Sequence, residues 1–277
     1  MNVINITANA VGKWLFAALG FLSPPVALLV VSAIAGISML VVFRYASNQR
    51  ALASIADRTR AEILAIKLFQ DDLRGTLISV ARICKLAALR LWYSVPAVLV
   101  LFIPMVLLLS QLALRFEYQP LRAGNAAVLE VQLAPGSFAQ SEDLRLEPSP
   151  GIRVETDPLR DRLEHAVYWR IRPRERTPAV LHLRWGSQAV EKLISIAEPG
   201  NKLLAVSARR PGSSLLDRLL NPGEIGFDSQ SPIRAIVVHH SPRATPILGL
   251  SIPWWLTFLI SSTLAAFMAS PILKVRF

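Results

Sequence analysis

The segments VALLVVSAIAGISMLVVF at residues 26–43 and WYSVPAVLVLFIPMVLLLSQLAL at residues 92–114 determine the architecture, because neither contains a charged side chain. An apolar helix of about 20 residues rises about 30 Å, which matches the hydrocarbon thickness of a bilayer. A third apolar segment at residues 254–273 carries more hydroxyl groups than the first two. The sequence therefore predicts a membrane α-helical protein with three transmembrane helices.

Residues 44–91, between the first two spans, contain nine Lys or Arg and four Asp or Glu. Apolar residues recur there at three- and four-residue steps on both sides of residues 69–72, a pattern typical of two antiparallel helices. We expect Leu77 and Val80 of the second helix to pack against the first, and Asp71 or Asp72 to cap its start. A single continuous helix would also fit, but both of its ends would have to reach the same membrane face. The sequence favours a helical hairpin.

Residues 115–250, called the β-domain below, are rich in proline, glycine and turn clusters. Short alternating apolar segments separated by turns indicate an all-β, sandwich-like domain. The seven strands predicted are residues 127–133, 144–146, 167–171, 180–183, 193–196, 203–206 and 233–238.

Charge predicts the orientation in a cell (inner) membrane, because loops rich in Lys and Arg stay in the cytoplasm. The hairpin at 44–91 and the tail at 274–277 are therefore expected inside, and the N-terminus and the β-domain outside. Residues 1–25 are expected to form an extracytoplasmic interfacial segment, with a short helix over 14–22 that Pro24 ends.

The net charge of +11 favours anionic lipids as binding partners rather than nucleic acid. Catalytic motifs are absent from the sequence, so we expect neither an enzyme nor a cofactor. His239 and His240 could be considered as metal ligands. Adjacent residues on a strand point to opposite faces, however, so they would not bind one ion together. Cys84 is expected to be a small core residue. The alternating arginines at 170–176 indicate a solvated sheet face or, alternatively, a lipid-headgroup or partner patch.

Two features of the spans leave alternatives open. Ser32 and Gly36 are spaced for a close helix–helix contact, but the same face could line a polar groove. Gln111 could form a hydrogen bond across helices or line a wet cavity.

Residues 44–112 resemble the core of the YidC/Oxa family of membrane-protein insertases. The resemblance is carried by Phe43-Arg44, Gln49, the segment EILAIKLFQDD at 62–72, and Pro96 with Pro104. The interfacial helix before the first span also fits. Three core spans, with the β-domain between the second and third, are closer to the short three-span branch of the superfamily.

This resemblance implies an insertase or chaperone whose cytoplasm-facing groove accepts transmembrane segments of nascent or client membrane proteins. Hydroxyls at depth and basic residues at the inner mouth would form such a groove. The candidate groove residues are Ser32, Ser38, Arg44, Arg90, Ser261, Ser262 and Lys274. The alternative is a non-enzymatic scaffold or sensor whose β-domain binds an envelope protein partner.

Overall fold

The computed structural model describes residues 3–68, 73–147, 149–247, 250–273 and 275. Six α-helices lie within these ranges; five of them account for most of the chain outside the β-domain, and α5 lies within it. They are α1 (Val3–Ala18), α2 (Pro24–Ala46), α3 (Gln49–Leu68), α4 (Leu73–Phe116), α5 (Leu215–Leu220) and α6 (Trp254–Ala269).

The strands follow one another from Ala127 onward, interrupted by a 3-10 helix at Pro135–Asp143. They are β1 (Ala127–Leu133), β2 (Leu144–Leu146), β3 (Ile152–Val154), β4 (Leu159–Asp161), β5 (Ala166–Pro173), β6 (Ala179–Trp185), β7 (Gln188–Ile194), β8 (Arg209–Arg210), β9 (Ile233–Val238), β10 (Thr245–Ile247) and β11 (Leu250–Ile252).

The chain forms two compact units. The first contains the described residues up to Leu28 together with 106–254, and the second contains 29–105 together with the described residues from Trp255 onward.

The first unit is built on antiparallel sheets that share one hydrophobic core. One sheet has the order β3-β5-β1-β9-β8, with β4 also paired to β5, and another has the order β2-β6-β7. In β1, inward residues such as Leu129 and Val131 are fully buried while their neighbours along the strand are not. The same core contains Trp169 of β5 and Leu183 of β6. The predicted antiparallel β region is therefore present.

Most of the predicted strands have the predicted positions, and one prediction is wrong. Residues 203–206 are turn and irregular backbone, and β8 follows at Arg209–Arg210. Leu203 and Val206 are nonetheless buried, so their apolar character reflects packing rather than strand formation. The strand predicted at 193–196 begins earlier, at Gln188.

Two helices, α2 and the segment Arg74–Phe116 of α4, are long and apolar enough to cross a membrane. Pro96 and Pro104 lie inside α4, and the helix continues through both. The helix α6 has 16 residues, or about 24 Å at 1.5 Å per residue, which is shorter than the hydrocarbon layer. It ends just before Pro271, which disfavours helical geometry at the residue before it. A third span at 254–273 therefore stays a prediction.

In the second unit, α3 and the first part of α4 run antiparallel to each other. Arg82 Nη1 lies 3.3 Å from Glu62 Oε1, whereas 20 residues of continuous helix would separate them by about 30 Å. Small residues line the cleft between the two helices, among them Ala61, Ala65 and Gly75. Residues 69–72, including the proposed caps Asp71 and Asp72, lie outside the described residues.

The predicted packing of the hairpin stripe is wrong. Leu77 is 68% exposed and Val80 is 45% exposed, so neither is covered by α3. Cys84 is also exposed rather than part of a core. A cleft lined partly by small residues lies between the helices, and the larger apolar residues Leu77 and Val80 are exposed.

The N-terminal helix is longer and begins earlier than predicted. It ends at Ala18, and Pro24 is the first residue of α2 rather than a terminator of α1. Proline suits the first turn of a helix because its missing N–H would have no partner there. The boundary between α2 and α3 was also not predicted. It lies at Asn48, whose Oδ1 accepts a hydrogen bond from Ala51 N and so caps α3.

Candidate functional site

The predicted groove serines differ in their surroundings. Ser32 is fully buried in α2, whereas Ser38 is exposed. Ser261 Oγ donates a hydrogen bond to Thr257 O, and Ser262 Oγ donates one to Leu259 O at 3.2 Å. Both hydroxyls therefore donate to carbonyl groups of their own helix.

The predicted basic residues Arg44 and Arg90 are exposed. The Arg44 guanidinium lies 5.9 Å from the centroid of the Tyr45 ring. Among the described residues, no hydrogen bond joins either arginine to the groove serines. Lys274 lies outside the described residues.

A close contact between α2 and α6 brings two parts of the predicted groove together. A Cβ atom placed on Gly36 would lie 2.1 Å from the carbonyl oxygen of Ser262. Only glycine permits this approach, because Ser262 contributes rigid backbone rather than a flexible side chain. The close helix–helix contact predicted from Ser32 and Gly36 is confirmed, and it is the small-residue packing typical of helices in membranes.

A second set of polar residues, called the α1 seam below, joins α1 to the last turns of α4. Gln111 Nε2 donates to Asn9 Oδ1 at 2.6 Å, so Gln111 forms the hydrogen bond across helices that was one of its two predicted roles. A Cβ atom on Gly12 would lie 2.4 Å from Gln111 Oε1. Arg115 completes the seam, with Nη1 3.2 Å from Gln111 Oε1 and its guanidinium 4.3 Å from the Phe16 ring centroid.

The α1 seam continues onto the β-domain. Asn5 Nδ2 donates to Arg218 O at 2.9 Å, and Asn9 Nδ2 donates to Pro222 O at 2.8 Å. Asn5 and Asn9 are one helical turn apart, and they contact the last turn of α5 and the residues just after it. The N-terminal helix is thus fixed to the β-domain by side-chain amides.

A buried ion pair in the β-domain supports the same segment. Lys192 is fully buried, and its Nζ donates to Glu224 Oε1 and to Ser207 O at 2.6 Å. Glu224 also accepts hydrogen bonds from Ser207 Oγ and from Leu193 N. Burial lowers the pKa of Lys192, and the Glu224 carboxylate opposes that shift. Lys192 and Glu224 are both bonded by groups of the β-domain itself, so we assign this pair a structural role.

The two adjacent histidines follow β9 rather than lie on a strand, and they contact different partners. His239 Nε2 lies 2.8 Å from Glu130 Oε2, and His240 Nδ1 lies 3.0 Å from Gln119 O. Burial lowers the pKa of His240 to about 4, so its ring is neutral at neutral pH. The described residues contain no group of three or more His, Cys, Asp or Glu placed to hold a metal ion.

The arginine-rich strand β5 presents a solvated face. The Nε atoms of Arg170 and Arg172 lie 3.0 Å and 2.5 Å from the Glu155 carboxylate. The hydrogen bond from Arg172 is the main cause that lowers the pKa of Glu155.

One apolar surface outside the spans lies on the hairpin. Large apolar side chains remain exposed on both of its helices, between basic residues. They are Ile63, Leu64, Leu68, Leu77, Ile78 and Val80. Contiguous exposed apolar side chains usually mark interaction sites.

Comparisons with known proteins give no relative for this chain: no family model, curated protein or solved structure matches it.

Proposed function

We propose that this chain is a membrane-protein insertase or chaperone that acts on transmembrane segments of client proteins. The observation that carries the proposal is the exposed apolar surface of the hairpin, with Leu77 and Leu64 each more than two-thirds exposed. The segment around them is basic, with Arg82 and Lys85 nearby. An apolar client segment with acidic flanks is complementary to such a surface. The resemblance of residues 44–112 to the YidC/Oxa core supports the same function.

The structure changes where we place client contact. Ser261 and Ser262 donate to their own helix, and Gly36 is closed against α6, so these positions do not favour an open polar groove. We therefore place the first contact with a client on the hairpin. The groove residues Ser38, Arg44 and Arg90, which are exposed, would act after it.

The test is insertion of short-tailed client proteins into vesicles that contain the purified chain. Leu77→Asp with Val80→Asp should reduce insertion several-fold, because charges would replace the apolar contact surface. The matched control is Leu163→Asp, since Leu163 is 91% exposed in the β-domain. Arg44→Glu with Lys274→Glu tests the basic mouth separately. If wild-type vesicles insert clients no faster than empty vesicles, the insertase proposal is wrong.

The orientation belongs to this proposal: hairpin and C-terminus in the cytoplasm, N-terminus and β-domain outside, in the inner membrane of a cell. The charge of the hairpin supports it. Cys84 is exposed and is the single cysteine, so it reports the side directly. Labelling of Cys84 by a membrane-impermeant thiol reagent in cells with a permeabilised outer envelope would contradict the orientation.

A scaffold or sensor is the second candidate, and the α1 seam favours it. Side-chain amides at Asn5 and Asn9 fix α1 to the β-domain, which suits a domain that must hold a defined position while it binds an envelope partner. Stoichiometric recovery of one stable partner on the β-domain, without insertion activity, would favour this candidate.

A further inference from the structure

The helix α1 turns polar side chains toward protein and large apolar side chains outward, which is the reverse of a helix on a water-exposed protein surface. Its polar side chains Asn5 and Asn9 point toward protein, where they hold the β-domain. Its outward face carries Ile6, Val11 and Trp14, which are 49%, 62% and 79% exposed, together with the exposed Thr7 and Lys13. A surface helix in water normally buries its apolar face and exposes its polar one.

Contacts on the inward face fix the rotation of the helix about its own axis. Gly12 lies where the helix meets Gln111, and a larger side chain there would have to displace the amide that bonds Asn9. Phe16 is 4% exposed and stacks against the Arg115 guanidinium. These contacts fix the direction in which Trp14 points.

The composition and the neighbours of the outward face identify what covers it. The sequence of α1 contains no carboxylate and one cation, Lys13, while Trp14 has the amphipathic ring that favours the membrane interface. After five residues the chain enters α2, which is long and apolar enough to cross a membrane. On its inner side α1 packs against the end of α4, the other such helix. The helix α1 therefore adjoins the ends of two candidate spans.

We propose that the outward face of α1 is seated in the lipid bilayer at the membrane interface, while its inward amides hold the β-domain. The partner of this surface is the lipid itself. One helix would thus fix the β-domain to the membrane surface through two chemically different faces. The inference does not depend on insertase activity.

The experiment measures what surrounds position 14 in the full chain. A spin label is attached to Trp14→Cys in a Cys84→Ser background, and the protein is reconstituted in vesicles of phosphatidylethanolamine and phosphatidylglycerol. Collision rates with oxygen, which concentrates in lipid, are compared with those of a water-soluble nickel chelate. Leu163→Cys in the β-domain serves as the water control, and Phe102→Cys in α4 serves as the lipid control; their side chains are 91% and 63% exposed.

We expect the ratio of oxygen to nickel collisions at position 14 to be several-fold higher than at position 163 and close to that at position 102. A ratio equal to that at position 163 would place the face in water and overturn the proposal. Low collision rates with both reagents would also overturn it, because they would show that protein, such as a second copy of the chain, covers the face. Insertion activity is not part of this measurement, so its result stands apart from that of the proposed function.

Discussion

Substitution of Glu224 by glutamine should destabilise the β-domain strongly. Lys192 is fully buried, and the Glu224 carboxylate is its only ionic partner among the described residues. Removal of one member of a buried ion pair costs about 3–5 kcal/mol, because the other charge is left without compensation. The remaining acceptor, Ser207 O, is a neutral carbonyl and does not balance the ammonium charge.

The matched control is Glu191→Gln. Glu191 lies next to Lys192 in β7, but its side chain is 69% exposed, and its partner His182 lies 3.8 Å away. Exposed pairs contribute about 0–1 kcal/mol, so this variant should unfold almost like the wild type. The double variant Lys192→Met with Glu224→Gln removes both charges and should recover most of the lost stability.

Urea unfolding of the full chain in mild detergent measures these differences. Trp169 and Trp185 are buried in the core of the β-domain, and their fluorescence should change when that core opens. If Glu224→Gln unfolds at the same urea concentration as Glu191→Gln, the carboxylate does not stabilise Lys192 and the reasoning is wrong. A double variant as unstable as the single one would contradict it as well.

Three further predictions address other parts of the chain. Gly36→Val should lower the thermal midpoint in detergent by forcing apart α2 and α6, at a cost of about 1–3 kcal/mol, while Ile37→Val on the exposed side should not. The pKa of His240 is lowered from 6.5 to about 4 in the folded state, so the unfolded chain binds more protons between these pH values. The free energy of unfolding should therefore fall by up to about 3 kcal/mol as the pH falls from 6.5 to 4. Urea titrations should show a weaker pH dependence for His240→Gln, and an unchanged dependence would contradict the prediction. Leu77→Asp should leave the protease resistance of the hairpin unchanged because Leu77 is exposed, whereas Ile55→Asp should abolish it because Ile55 is 5% exposed.

Features that depend on local pattern were predicted well from the sequence. The alternation in β1 fixes both the strand and its buried face, since side chains alternate along any strand. The small-residue spacing of Ser32 and Gly36 likewise predicts a close contact, because a helix presents residues four apart on one side. These are properties of one element, and they need no knowledge of its neighbours.

Features that depend on which elements meet could not be predicted. The hairpin stripe through Leu77 has the spacing of a packed face, but spacing identifies an apolar side without showing what covers it. The pairing of Lys192 with Glu224 joins residues 32 positions apart, and Asn9 meets Gln111 across 102 positions. Lys192, Glu224 and Asn9 belong to residue types that usually lie at the surface, so only the tertiary fold identifies their roles. The position of Gln111 in an apolar span predicted a bond across helices but not its partner.

The hydrogen bonds from Asn5 and Asn9 to the β-domain have a consequence for biosynthesis. Each joins residues 213 positions apart in the chain. At translation rates of about 5–20 residues per second, α1 leaves the ribosome roughly 10–40 s before its acceptors at Arg218 and Pro222 exist. During that time its amides have no partner in the β-domain. The helix α1, which is synthesised before the β-domain, is therefore among the last elements to reach its final contacts, because the β-domain must fold first.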